Sequence, residues 1–233
     1  MSGRGGLLAA AAAGAAAALL VSHVAHRRHP APPDELDAPR DAATQLTASL
    51  WDTIPLSHTM GVRCDAFPAH DTAPLLLRAP LAANRNVHGT AFAGAIYAAA
   101  VLAGWAWAEA AASRRGGALA RATVVVKAAS IRYRAPLVDA FVCVALPPGA
   151  AALRSFADDF ARTGKATLRL RVAVWTRADA AAGAALAADD AARAQGGEAD
   201  ARDADAPPPQ IVTPDGRKPA CVLDGEFTAV TPP

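Results

Sequence analysis

The chain has 233 residues, and alanine accounts for 65 of them, so the hydrophobic share of 53% overstates the apolar mass available to a core. The composition excludes a collagen, a disulfide scaffold and a coiled-coil rod, and a formal net charge of +2 gives no field that points to nucleic acid. The cations are 20 Arg against 3 Lys, a bias that reads as genomic GC pressure and takes weight away from alanine-rich stretches as specific signals.

Residues 1–33 contain no acid. Arg4 precedes an apolar run, Leu7–Val21, and His26-Arg27-Arg28-His29 follows it. Alanine drives membrane insertion weakly, and the run reaches a spanning length of about 20 residues only by extending through Ser22 and His23 to Ala25. The segment is expected to be an N-terminal anchor or targeting sequence that associates with a membrane through residues 7–25. Charge on both flanks leaves its orientation open. His23, His26 and His29 recur every third residue and read as a solvated cluster beside the anchor rather than a metal site. Residues 34–46 continue a stretch of prolines and charges and are expected to be a linker. Residues 47–233 are expected to form one domain. It is interrupted at about 177–210 by an Ala/Asp/Arg/Gly tract whose one large apolar residue is Leu186, which is too little apolar surface to order itself.

Within the domain, Trp51–Gly61 reads as a short helical or turn lead-in, and Val62–Phe67 and Leu75–Leu81 as strands. Asn84–Thr90 is a polar loop rich in residues that tolerate left-handed backbone. Ala91–Ser113 is apolar around its whole circumference until Glu109, so it is expected to be a long buried helix, stopped by Arg114-Arg115-Gly116-Gly117. Strands follow at Ala122–Arg134 and Asp139–Leu146, then a short helix at Ala150–Arg162. Lys165–Trp175 alternates Leu168, Leu170, Val172 and Val174 against Arg169, Arg171, Ala173 and Trp175, the pattern of a sheet with one buried and one wet face. Cys221–Val230 is the last strand.

One helix that is apolar on every side requires a sheet to wrap it. The expectation is therefore an α+β fold of the hotdog type, an antiparallel sheet curled around one long central helix; alternating helices, which a doubly wound fold needs, are absent. A membrane span over Phe92–Ala112 is the competing reading, and Gly94, Gly104, Glu109 and the flanking amphipathic strands disfavour it. Cys64, Cys143 and Cys221 form no CxxC and read as small buried hydrophobes in a reducing compartment. No GxSxG elbow, P-loop, GxGxxG or metal-spaced His/Cys set occurs, and no cofactor or metal is expected.

Several segments carry a family resemblance: Ile54-Pro55-Leu56-Ser57 with Met60-Gly61; Ala79-Pro80-Leu81 with Asn84 and Asn86; Gly89-Thr90-Ala91-Phe92 with Gly94 and Tyr97; Ala100–Trp105; and Ser130-Ile131-Arg132-Tyr133 with Pro136. Together they resemble the thioesterase-like hotdog domain found as the C-terminal part of some bacterial acetyltransferase-like proteins. The resemblance implies a homodimer or larger hotdog oligomer acting on acyl-CoA or acyl-carrier thioesters in lipid metabolism, with no nucleic acid involved.

The chemistry is expected at the start of the long helix. Unpaired amides at Phe92-Ala93-Gly94 would polarise a thioester carbonyl, Asn86 would aim a water and His88 would serve as general base. Asn84, Gly89, Thr90, Phe92, Ala93, Gly94, Tyr97 and Ser130 are the expected substrate-binding residues, Ser130 from an inner strand face. Arg132, Arg134, Arg169 and Arg171 share the outward parity of two strands and read either as a solvated face or as a site for coenzyme A phosphates. Better-known hotdog thioesterases carry His-Gly-Gly at the helix start and a carboxylate further along, where this chain has Phe92-Ala93-Gly94 and Val101. That departure motivates the alternative, a catalytically weak acyl-thioester-binding or scaffold dimer.

Overall fold

The computed structural model describes residues 41–179 and 217–232; the expected anchor and most of the 177–210 insertion lie outside them. The first element, helix α1 (Ala42–Thr53), begins where Asp41 accepts a hydrogen bond from the Thr44 amide at 2.8 Å, an N-cap. It therefore starts inside the stretch expected to be linker. Only Leu46 and Leu50, one turn apart, are fully buried on it, so its sequence shows little periodicity. The Trp51 indole N–H donates to Val62 O at 2.5 Å, and Thr47 Oγ1 accepts from Cys64 N at 2.9 Å, which fastens the helix to the sheet edge. A short helix α2 (Pro55–Thr59) follows, with proline in its first turn.

Six antiparallel strands follow: β1 (Arg63–Ala66), β2 (Leu75–Ala79), β3 (Thr123–Tyr133), β4 (Phe141–Ala145), β5 (Lys165–Thr176) and β6 (Cys221–Val230). They form one sheet in the order β1-β2-β4-β5-β6-β3. Helix α3 (Leu81–Asn84) and the loop after it lead into the central helix α4 (Ala93–Arg114), 22 residues long. At 1.5 Å per residue α4 runs about 33 Å. It lies across the inner face of the sheet, against Leu77, Cys143, Leu170, Val172, Leu223 and Phe227 among others. This is the hotdog architecture.

Alanine is what permits the close fit. Ala99, Ala100, Ala103, Ala106, Ala110 and Ala111 are at most 1% exposed. The Phe227 ring is wedged between helix and strand: a Cβ on Gly104 would stand 2.4 Å from its Cζ, and one on Gly225 2.7 Å from its Cε2. α4 is long and apolar enough to cross a membrane, but 72% of its most apolar window is buried by the rest of the chain, as a core helix requires. The amphipathic helix α5 (Ala150–Thr163) sets Leu153, Phe156 and Phe160 against the fold and ends at Gly164, whose φ of +68° suits glycine.

The outer face of the sheet is divided. On β3, β6 and β5, Glu226 pairs with Lys127 (2.8 Å) and Arg169 (3.2 Å), and Asp224 pairs with Arg132 and Arg171 (2.8 Å each). Further along, Val142, Val144, Ala173 and Trp175 form a second buried cluster with Leu76 and Leu146. The end of β5 is thus buried on both sides, and the expected wet face holds only for its first half. Ser130 also departs from expectation. It stands opposite Asp224 on the ion-paired outer face, while its neighbours Ala129 and Ile131 turn toward the core. A strand bulge between Val126 and Ala128 shifts the parity of β3, and the sequence does not reveal it.

Candidate functional site

The loop from Arg85 to Ala91 is a small closed hairpin. Arg85 and Ala91 form a β-bridge, the Asn86 N–H donates to Thr90 O (2.8 Å), and the Gly89 N–H donates to Asn86 O (3.1 Å). Gly89 takes φ +77°, a conformation that favours glycine. Asn86 organises the loop from within. Its Oδ1 accepts from His88 N (2.9 Å) and Thr90 N (3.2 Å), and its Nδ2 donates to Thr90 Oγ1 (2.9 Å). An amide engaged in this way is committed to the loop.

Asn84 has a similar task one layer deeper. It is 3% exposed, and its Nδ2 donates to Met60 O (2.8 Å) and Pro80 O (2.7 Å), joining two chain turns. Its backbone carbonyl receives the Phe92 N–H at 2.7 Å, which sets the origin of α4. Asn84 therefore supports the helix start from behind.

The start of α4 is open. Phe92 is the N-cap without a side-chain capping bond, and the first helical hydrogen bond runs from Ile96 N to Phe92 O at 3.0 Å. Among the described residues, the amides of Ala93, Gly94 and Ala95 have no acceptor. Ala93 and Gly94 are exposed. These N–H groups and the positive end of a six-turn helix favour an oxygen that gains negative charge. The Phe92 ring leans across this turn: a Cβ on Gly94 would lie 2.5 Å from its Cε1, so glycine is needed for the ring to rest there. Phe92 is 56% exposed, Tyr97 37% and Val87 94%, which makes the opening apolar. His88 lies exposed in the loop beside it.

The structure brings Asn86, His88, Gly89, Thr90, Phe92, Ala93, Gly94 and Tyr97 to one end of the central helix and leaves Ser130 on the opposite face of the sheet. It adds one residue that sequence reasoning missed. The Tyr133 hydroxyl, from the last residue of β3, donates to Ala93 O at 2.9 Å and ties the sheet edge to the helix start. Burial raises its phenol above the usual range. The signal for it lay in the Ile131/Tyr133 alternation.

Glu109 lies farther along α4 and is 5% exposed. It accepts from Val124 N at 3.3 Å, while the Trp105 indole N–H one turn earlier donates to Val124 O at 2.9 Å. Burial pushes the Glu109 carboxyl up to about 7. Both backbone groups of Val124 are thus held by the helix, far from the loop. All three cysteines are buried, and burial raises their thiols, Cys64 to about 12 and Cys221 to about 11. None is a thiolate nucleophile. A cavity of about 310 Å³ lies at the other end of α4, lined by Asp71, Arg115, Pro148, Leu153, Arg154 and Asp158 among others. Arg115 is the C-cap of α4 and is paired with Asp71 at 3.0 Å, so this cavity stands a helix length from the open amides.

Residues 43–185 match the family described as "Putative thioesterase (yiiD_Cterm)". Among solved structures, a protein of unknown function from Chlorobaculum tepidum TLS is 24% identical, with a TM-score of 0.58 over 82% of this chain and 100% of that one. A structure titled putative thioesterase from Shewanella oneidensis is 23% identical, with a TM-score of 0.51 over 81% of this chain and 96% of that one. A Pseudomonas aeruginosa protein titled probable thioesterase is 18% identical, with a TM-score of 0.53 over 81% and 96%. These likenesses show a shared fold.

Proposed function

Because the chain belongs to the family described as Putative thioesterase (yiiD_Cterm), we propose that it hydrolyses acyl thioesters with the start of α4 as the carbonyl site. The observation that carries this reading is the set of three unpartnered amides at Ala93, Gly94 and Ala95, opening onto an apolar mouth. A thioester carbonyl oxygen seated there accepts those N–H groups and becomes an oxyanion when water adds to the carbon. One such donor is worth about 10²–10³ in rate. His88 takes the proton from the attacking water and returns it to the leaving sulfur, so that the C–S bond breaks to give an acid and a thiol. Asn86 positions His88 by accepting its backbone N–H, in place of the water-aiming role expected from sequence.

The same reading takes the working unit to be a pair of copies. β3 is a sheet edge with Val125 43%, Val126 41% and Tyr133 47% exposed, and Tyr133 touches the site. An exposed apolar edge of this kind invites a partner strand. The purified full chain is expected to release thiol from medium-chain acyl-CoA. No release across a chain-length panel, from protein with an intact sheet by circular dichroism, would overturn the hydrolase reading. The second reading, an acyl-thioester-binding dimer without turnover, draws on the committed Asn86 amide and on Phe92 standing where polar chemistry is expected. His88→Ala separates the two: hydrolysis requires a loss of about 10²-fold or more.

A further inference from the structure

The three open amides at the start of α4 are not equivalent. Each N–H shares its peptide unit with the carbonyl of the residue before it. The Ala93 N–H therefore belongs with Phe92 O, the Gly94 N–H with Ala93 O and the Ala95 N–H with Gly94 O. In the helical ladder each of these carbonyls accepts from the residue four places on. Ala93 O has a second donor, the Tyr133 hydroxyl at 2.9 Å. Among the described residues, no side chain donates to Phe92 O or Gly94 O. Donation to a carbonyl draws electron density from its peptide nitrogen and strengthens the N–H of that unit as a donor, by about 10–30% per bond.

Tyr133 is held where it can do this. It is the last residue of β3 and pairs with Cys221 on β6. The next two amides, Arg134 N (2.8 Å) and Ala135 N (3.2 Å), both donate to Ala220 O. Beyond them, Leu137 O accepts from the N–H of Ala91, one residue before the N-cap of α4, at 2.8 Å. The chain that carries the phenol is thus tied to β6 on one side and to the helix start on the other. Burial raises the phenol above its ordinary value, so the O–H keeps its proton through neutral and mildly alkaline pH.

We propose that Tyr133 is a positioning residue that primes the Gly94 N–H, making it the strongest of the three donors to the acyl carbonyl oxygen. It touches no reacting atom and acts through the Ala93–Gly94 peptide. This rests on the hydrolase reading for its consequence, but the priming is read without turnover. The experiment compares the full chain with Tyr133→Phe, which removes the hydroxyl and keeps the ring. In the amide nuclear magnetic resonance spectrum the Gly94 proton moves upfield, and those of Ala93 and Ala95 move less. Biosynthetic replacement of tyrosine by 3-fluorotyrosine, whose phenol is the stronger donor, moves the Gly94 proton downfield at a pH where that phenol is protonated. A merely structural role for Tyr133 does not produce opposite shifts at one amide. In turnover of an acyl-CoA, Tyr133→Phe lowers kcat about two- to eightfold with KM unchanged, because a donor worth about 10²–10³ in rate loses about 10–30% of its effect on a logarithmic scale. Circular dichroism checks the fold, and if Tyr133→Phe does not fold, the fluorotyrosine protein decides the question alone. A Gly94 proton that stays in place, or moves no more than those of Ala93 and Ala95, overturns the proposal. Opposite shifts at Gly94 without release of thiol leave the priming in place and remove the hydrolase reading. Release of thiol with both kcat and the Gly94 proton indifferent to Tyr133→Phe does the reverse.

Discussion

Asn86 lies in the loop before the helix start, with both ends of its side-chain amide bonded inside that loop. Its position beside the helix start is legible in the Asn-x-Asn spacing. Its role depends on three hydrogen bonds inside its own loop, which only the folded geometry reveals. Replacing it with alanine removes the acceptor for His88 N and Thr90 N. Asn86→Ala is therefore expected to cost about 1–2 kcal/mol in urea unfolding, while Asn86→Asp keeps both acceptor bonds and costs less. Equal losses would contradict this account of the loop. Glu109 makes a prediction of the opposite kind. Its carboxyl is raised from 4.5 to about 7 in the fold, so the folded chain holds that proton more tightly than the unfolded one. The resulting stability is fully present below the unfolded value and is lost as pH rises through about 7, a swing of about 3 kcal/mol. Glu109→Gln retains an acceptor for Val124 N and removes the charge. It should flatten the stability curve between pH 5 and pH 8 and raise stability at the upper end; parallel curves for the two proteins would show that Glu109 does not titrate in this range.

Elements read well where they carry large apolar side chains at a clear period. β5 emerges from alternation and α5 from helical spacing, and β2 and β6 from short apolar runs, with nearly the observed ends. α4 emerges from the absence of polar residues until Glu109. α1 was hidden because alanine and threonine fill half of its positions and only Leu46 and Leu50 are fully buried. The bulge in β3 was hidden for another reason, since a one-residue parity shift leaves the sequence looking regular; Ser130, beyond the bulge, shares the parity of Arg132 and so lies with it on the outer face. The contact that fixes α4 against the sheet was also beyond the sequence. Gly104 and Gly225 close on Phe227 from two sides, so the ring has no room to retreat. Gly104→Ala should therefore destabilise the protein by about 1–3 kcal/mol despite alanine's better helix propensity. Gly94→Ala makes the contrast: the clash there is with the end of the exposed Phe92 ring, which can swing away. A Gly104→Ala variant as stable as the parent in thermal unfolding would refute the wedge.

At the scale of the whole molecule, the fold follows from one helix that is apolar on every side up to Glu109 and a set of amphipathic strands, and the family match over residues 43–185 agrees with it. The site is legible as a place, the loop and helix start, but only partly as chemistry. Tyr133 enters from a distant strand, and the ion pairing of Arg132, Arg169 and Arg171 depends on β6 lying between β3 and β5. The exposed β3 edge predicts self-association. Because Trp105 and Glu109 already hold both backbone groups of Val124, pairing with a second copy begins beyond that residue. Val126→Lys, placing like charges at the edge, should convert a dimer to a monomer in sedimentation equilibrium. A parent chain that is itself monomeric at micromolar concentration would contradict the paired unit.

The claim on which the functional account turns is that an acyl carbonyl sits on the amides that open α4. The direct measurement is the amide nuclear magnetic resonance spectrum of the full chain titrated with an acyl-CoA analogue in which a methylene replaces the thioester sulfur and the carbonyl is kept. The account predicts the largest shifts at the amides of Ala93, Gly94 and Ala95, with smaller ones through the Asn86–Thr90 loop. Shifts centred on Arg115 and Leu153 at the other end of the helix, with Ala93–Ala95 unmoved, would contradict it.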